Sequence, residues 1–225
     1  MTGAAEWSDL GPVILDFDGV LVDAAPCWQR AVRVMFARYG QDYSDEHDDF
    51  LCGRHPAAAG ALLAVTVGRP ELATELGDEV MARGLEEVSK GVRCMPGAID
   101  LVWRLYGRRT LAVASNTPRR VVERALDRAG MLDAFRFVVG SDDVPRPKPA
   151  PDVYVAACEA LGCSGAAATA IEDSLPGITA ARGAGVSVIA VSARASVRSA
   201  GDESYPSLCD EQLLSRLTRH RVRWV

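Results

Sequence analysis

Four carboxylates, one lysine and a pair of small polar residues stand at the ends of apolar runs in this chain. Asp16 and Asp18 close PVILDFDG, Ser115 and Asn116 close TLAVASN, Glu172 and Asp173 close ATAIEDS, and Lys148 lies in RPKPAPD. Carboxylate oxygens gathered around one cation site suit a hard divalent ion, and Mg²⁺ is the expected one. Each piece alone has a plainer reading. Asp16-Phe17-Asp18-Gly19 could be a strand end and turn, and Ser115-Asn116-Thr117-Pro118 or Glu172-Asp173-Ser174 could simply cap helices. Lys148 could be a solvated charge, but only two of the 25 basic residues are lysines, Lys90 and Lys148. In so arginine-biased a chain a lysine is unusual in itself.

Chemistry at these positions requires a fold that brings together residues up to 157 positions apart, the distance from Asp16 to Asp173. The apolar runs read as strands: PVIL, 110–116, 168–174, 186–192 and, more weakly, 135–143. Segments 97–106, 118–129, 151–161 and 176–183 between them read as helices. Pro118, Pro151 and Pro176 sit in their first turns, and Gly130, Gly162 and Gly185 just past their ends. Strands alternating with helices predict a doubly wound α/β domain with a mostly parallel sheet. Ligands of such sheets bind at the carboxyl ends of the strands, where the polar residues gather. A last helix is expected over 210–219.

Residues 24–95 break the pattern. They carry helical periodicity over 27–39, 56–67 and 77–89 and no convincing strand, so they read as an inserted α-helical cap. The core is then 1–23 and 96–225, with hinges near 22–24 and 91–96.

Composition narrows the partners. A formal net charge of -5 and a pI near 5.3 argue against nucleic acid or an anionic membrane as the main partner. The start MTGAAEWSDLG has neither the basic residues nor the apolar stretch of a secretory leader, and 57–68 is too short to span a bilayer. A cytoplasmic protein, monomeric or weakly dimeric, is expected. The six cysteines lack metal-ligand spacing and read as reduced thiols.

Taken in order, DFDGVLVD, ASNT, RPKPAPD and IEDSLPGITAARGAG resemble the four motifs of the haloacid dehalogenase-like hydrolase superfamily. Within it, the chain is similar to the helical-cap phosphatase and β-phosphoglucomutase-like branch. The resemblance implies a Rossmann-like core, a cap inserted after the first motif, and Mg²⁺-dependent hydrolysis of a small phosphorylated metabolite, a sugar or cyclitol phosphate, through an aspartyl-phosphate. It implies Asp16 as nucleophile and Asp18 as general acid and base, with Ser115 and Lys148 on the phosphoryl group. Gly19 and Asn116 would assist through backbone N–H groups. Asp16, Asp18, Asp173 and Glu172 would form the metal set, Glu172 either directly or through a neighbour. Asp18 speaks against a dehalogenase, which resembles this pattern with an aromatic residue there, and also against a phosphonate-cleaving member.

Specificity is expected in the cap. The loop Cys52-Gly53-Arg54-His55-Pro56 resembles the substrate loop of sugar-phosphate members, which makes Arg54 and His55 candidate substrate contacts; an ordinary turn is the alternative. The acidic run Asp45–Asp49 reads as a helix start rather than a metal site. Trp28 and Met35 read as cap core, and Lys90 as a hinge charge. The runner-up reading is a β-phosphoglucomutase-like mutase, weakened because Trp28 stands where the mutases it resembles carry a histidine. A non-catalytic phospho-ligand binding protein is the remaining alternative.

Overall fold

Each apolar run that ends in a polar pair forms a strand. The computed structural model describes residues 11–51 and 57–218. In chain order these give β1 (Val13–Leu15), β2 (Val22–Asp23), α1 (Ala25–Arg38), α2 (Asp45–Leu51), α3 (Ala57–Thr66) and α4 (Ala73–Lys90). There follow β3 (Arg93–Cys94), α5 (Ala98–Leu105), β4 (Leu111–Ala114), α6 (Arg119–Arg128), β5 (Phe137–Val139) and α7 (Asp152–Leu161). The chain then runs through β6 (Thr169–Glu172), α8 (Leu175–Gly183), β7 (Ser187–Val191), α9 (Ala195–Arg198), β8 (Glu203–Tyr205) and α10 (Glu211–Thr218).

The main sheet has six strands in the order β5-β4-β1-β6-β7-β8, and every neighbouring pair is parallel. The chain first builds outward from β1 through β4 to β5, then crosses back to lay β6, β7 and β8 on the other side. This is the doubly wound order, and its direction reverses between β1 and β6. Loops leaving two adjacent strands diverge there and open a crevice at the carboxyl edge. Ile14, Ala112, Ala114, Ala170, Val188 and Ala190 face a core shared with Val153, Tyr154 and Ala157 of α7 and Ile178, Ala180 and Ala181 of α8. The alternate residues Val13, Leu15, Leu111, Val113, Ile171 and Ile189 are equally buried and point to the opposite face by the two-residue strand period. Burial on both faces explains why these strands read as unbroken apolar runs.

Two features of this unit differ from expectation. Glu203–Tyr205 forms a sixth strand, with α9 before it, although the segment carries no apolar run. It is an edge strand with partly exposed residues, held by pairing to β7, so its signal lies in backbone bonds rather than side chains.

Contacts divide the chain into two compact units, one comprising the residues up to Asp23 with those from Cys94 onward, the other Ala24–Arg93. The second unit is helical. α1, α3 and α4 close a core of Val32, Met35, Phe36, Leu63, Leu76 and Val80. Trp28 packs onto α4, where a Cβ on Gly84 would lie 2.0 Å from the indole ring. The acidic run does begin a helix, α2. Two corrections apply: α4 begins at Ala73 rather than Gly77, and the stretch expected to lack strands ends in β3, which pairs with β2. Two-residue strands are too short to leave a periodic pattern. Arg54 and His55 lie outside the described residues.

Candidate active site

Asp16 is the first residue beyond β1, and its backbone N–H donates to the Ile171 carbonyl of β6 at 3.0 Å. That bond seats it on the reversal point of the sheet, buried at 7% exposure. Glu172 ends β6 and is fully buried. Lys148 arrives from the loop after β5 and bridges the two. Its Nζ donates to Asp16 Oδ1 at 2.7 Å and to Glu172 Oε1 at 2.6 Å. Asn116, at the end of β4, clasps the lysine's backbone: its Nδ2 donates to the Lys148 carbonyl at 3.2 Å, and its Oδ1 accepts from the Lys148 N–H at 2.8 Å. Asn116 was read as a substrate contact through its N–H. Its side chain has a further role, tying the lysine loop to the strand edge. Ser115 is buried, and its Oγ accepts from the Thr117 N–H at 3.0 Å.

Glu172 accepts from five donors. Beside Lys148, Oε1 takes the Tyr154 hydroxyl at 2.8 Å. Oε2 takes the N–H groups of Asp173 and Ser174 at 3.1 and 3.4 Å and the Ser174 hydroxyl at 3.2 Å. Ser174 is in turn the N-cap of α8, its Oγ accepting from the Gly177 N–H at 3.2 Å. Ser174 thus meets the capping reading of Glu172-Asp173-Ser174, while Glu172 and Asp173 stand beside Asp16. Gly177 was not anticipated. A Cβ there would lie 1.8 Å from Glu172 Oε1, so only glycine leaves room for the buried carboxylate.

Among the described residues, one group of carboxylates converges closely enough to hold a metal ion: Asp16, Glu172 and Asp173, with one oxygen of each within 4.8 Å of the others. Asp18 does not contribute a carboxylate oxygen to this group, although its charge reaches Asp173. The geometry therefore differs from the expected carboxylate set of Asp16, Asp18, Asp173 and Glu172. The hydrogen bonds discriminate further, because both Glu172 oxygens already accept from several donors while Asp16 accepts from Lys148 through one oxygen. Gly19 adjoins this point with φ +82°, and a Cβ there would lie 2.2 Å from Asp173 Oδ2. Both its backbone angle and its space demand glycine.

Electrostatics show that the cluster is short of positive charge. Burial, then the Glu172 carboxylate, pushes Asp16 well above the usual aspartate range, against the lowering influence of Lys148. Burial, with Glu172 and Asp18, raises Asp173 from 3.8 to about 7. Burial opposes the charge on Lys148, but Asp16 and Glu172 outweigh it and lift its pKa. A buried anionic group with one cation fits a divalent ion, since oxygen donors of this type are what Mg²⁺ takes.

The acidic run of α2 is not part of a metal-ligand group among the described residues. Lys90 pairs with Glu86 and Glu87 on its own helix. The five described cysteines are free thiols, and no described helix is long and apolar enough to cross a membrane.

A family model for haloacid dehalogenase-like hydrolases matches residues 13–191. Fructose-1-phosphate phosphatase YqaB of Escherichia coli (strain K12) is 30% identical over 183 residues, covering 80% of this chain and 95% of that protein. The bifunctional riboflavin kinase/FMN phosphatase of Arabidopsis thaliana is 29% identical over 206 residues and 89% of this chain, and the chain spans 54% of that protein's length. A solved structure from Thermotoga maritima, provisionally named a β-phosphoglucomutase, superposes with a TM-score of 0.75 at 26% identity, covering 92% of this chain and 98% of that one. With the family model spanning β1 to β7 and the four motifs meeting at the reversal point of the sheet, the chain belongs to the haloacid dehalogenase-like hydrolases.

Proposed function

We propose that the protein is a Mg²⁺-dependent phosphatase of a small phosphorylated metabolite, a sugar or cyclitol phosphate, acting through an aspartyl-phosphate on Asp16. The observation that carries this reading is the buried Asp16–Lys148–Glu172 arrangement beside Asp173. A carboxylate that Lys148 holds in one orientation is a preorganised nucleophile. The phosphatase named above, which the chain covers almost fully, supports the reaction class.

Asp16 and Asp173 would hold the cation, which when bound offsets repulsion between the site and an anionic substrate. Asp16 attacks phosphorus, and the bond to the leaving oxygen breaks. Asp18 gives that oxygen its proton, so the product departs as an alcohol. Asp18 then takes a proton from water, whose oxygen attacks phosphorus and releases inorganic phosphate with Asp16 restored. Lys148 offsets the charge of Asp16 and steadies its position as a compact point charge, and Ser115 contributes a hydroxyl to the phosphoryl oxygens. Gly19 and Asn116 offer backbone N–H groups, and Arg54 and His55 are the candidates for selecting the leaving group.

A mutase would begin with the same aspartyl-phosphate, and the Thermotoga maritima structure keeps that reading in view. Trp28 weighs against it, because it has no titratable group and packs within the cap's own helices. The test is to supply β-glucose 1-phosphate with a trace of the 1,6-bisphosphate, alongside a panel of sugar phosphates. Release of inorganic phosphate that requires Mg²⁺ is expected. Rapid conversion to glucose 6-phosphate with little phosphate release would establish the mutase instead.

A further inference from the structure

The geometry points to Tyr154 as a positioning residue that keeps the Lys148 ammonium on Asp16, through a hydrogen bond from its hydroxyl to Glu172 and its ring over the ammonium. This rests on the phosphatase reading for its consequence in rate, but not for its geometry. Tyr154 lies in the first turn of α7 and is fully buried. Nothing in the sequence reading singled it out, because a buried aromatic on a helix face is ordinary core. The hydroxyl gives it a second function, donating to Glu172 Oε1 at 2.8 Å. Nζ of Lys148 lies 4.9 Å from its ring centroid and 3.5 Å from its hydroxyl oxygen.

The ammonium is contested by two carboxylate oxygens at almost equal distance, Asp16 Oδ1 at 2.7 Å and Glu172 Oε1 at 2.6 Å. Nearly equal pulls do not by themselves define a position for a flexible four-carbon side chain. The Tyr154 hydroxyl limits the pull of Glu172, because an oxygen that already accepts an O–H bond attracts a second donor less strongly, and the ammonium stays shared between the two carboxylates. The phenol is the donor in this pair, as an O–H group facing a carboxylate oxygen must be. The ring closes a third side of the ammonium with its electron-rich face. Glu172 Oε2 is meanwhile pinned by Asp173 and Ser174, so the carboxylate cannot follow the lysine. Tyr154, itself fully buried, thus acts at one remove from the substrate.

Tyr154→Phe isolates the hydroxyl, since it keeps the ring and nearly all the volume. With p-nitrophenyl phosphate and Mg²⁺, kcat should fall about tenfold, in keeping with a lost hydrogen bond to a charged group, while KM stays within about twofold. Crystal structures of wild type and variant supply a readout independent of activity: Nζ should leave Asp16 and close on Glu172. A variant with wild-type kcat, whatever its melting temperature, overturns the proposal, because a purely structural tyrosine would move stability alone. A rise in KM that accounts for the whole loss also overturns it. If the wild type itself releases no phosphate, the phosphatase reading fails. The two crystal structures then decide the positioning claim: a displaced Nζ supports it and an undisplaced one refutes it.

Discussion

Raising the pH of the metal-free protein should destabilise it over the range in which most proteins gain stability. In the folded chain Asp173 holds its proton up to about pH 7, against 3.8 for an ordinary aspartate, chiefly because of burial. Between those values the folded state binds a proton that the unfolded state has released. The stability tied to that proton is complete below pH 3.8 and is lost as pH rises to 7. At 1.36 kcal/mol per pH unit the full loss is on the order of 4 kcal/mol, with most of it falling between pH 4 and 7. Asp16, also raised, acts in the same direction. The assay is urea unfolding in excess chelator at half-unit steps from pH 5 to 8, for wild type and Asp173→Asn. Wild-type stability should fall with pH and the variant's slope should be shallower. Adding Mg²⁺ should reverse the wild-type trend, because binding the cation displaces the proton and is favoured as pH rises. A flat wild-type profile, or equal slopes in the two proteins, would refute the charge-deficit account of this site.

Three substitutions probe the rest of the arrangement. Asp16→Asn should lower turnover by at least about a thousandfold and stabilise the metal-free fold at pH 8, read by phosphate release and thermal melting; retention of a tenth of wild-type turnover would place the nucleophile elsewhere. Lys148→Arg should cost at least about tenfold in kcat/KM although it keeps the charge, since a planar guanidinium cannot take the place of a point cation held between two carboxylate oxygens. Gly177→Ala puts a methyl 1.8 Å from Glu172 Oε1, so it should lower both the melting temperature and kcat, whereas the same change at solvent-facing Gly130 of the α6 C-terminus should leave kcat unaltered.

The amino-acid sequence alone was sufficient for the doubly wound core and the helical insertion. Strands buried on both faces read as unbroken apolar runs, helices as 3.6-residue periods between proline and glycine. It also brought Asp16, Lys148, Glu172 and Asp173 to one place, as the structure does, because the carboxyl ends of parallel strands and the loops that leave them share an edge. β8 was not legible, being an edge strand that relies on backbone pairing rather than apolar burial. Nor could spacing distinguish a carboxylate with free oxygens from one already engaged. Only tertiary structure showed that Glu172 is saturated by five donors while Asp16 and Asp173 converge beside it. Tyr154 and Gly177 were hidden for the same reason. A helical tyrosine becomes a hydrogen-bond donor to the site, and a glycine becomes indispensable, only through what the packed fold sets opposite them.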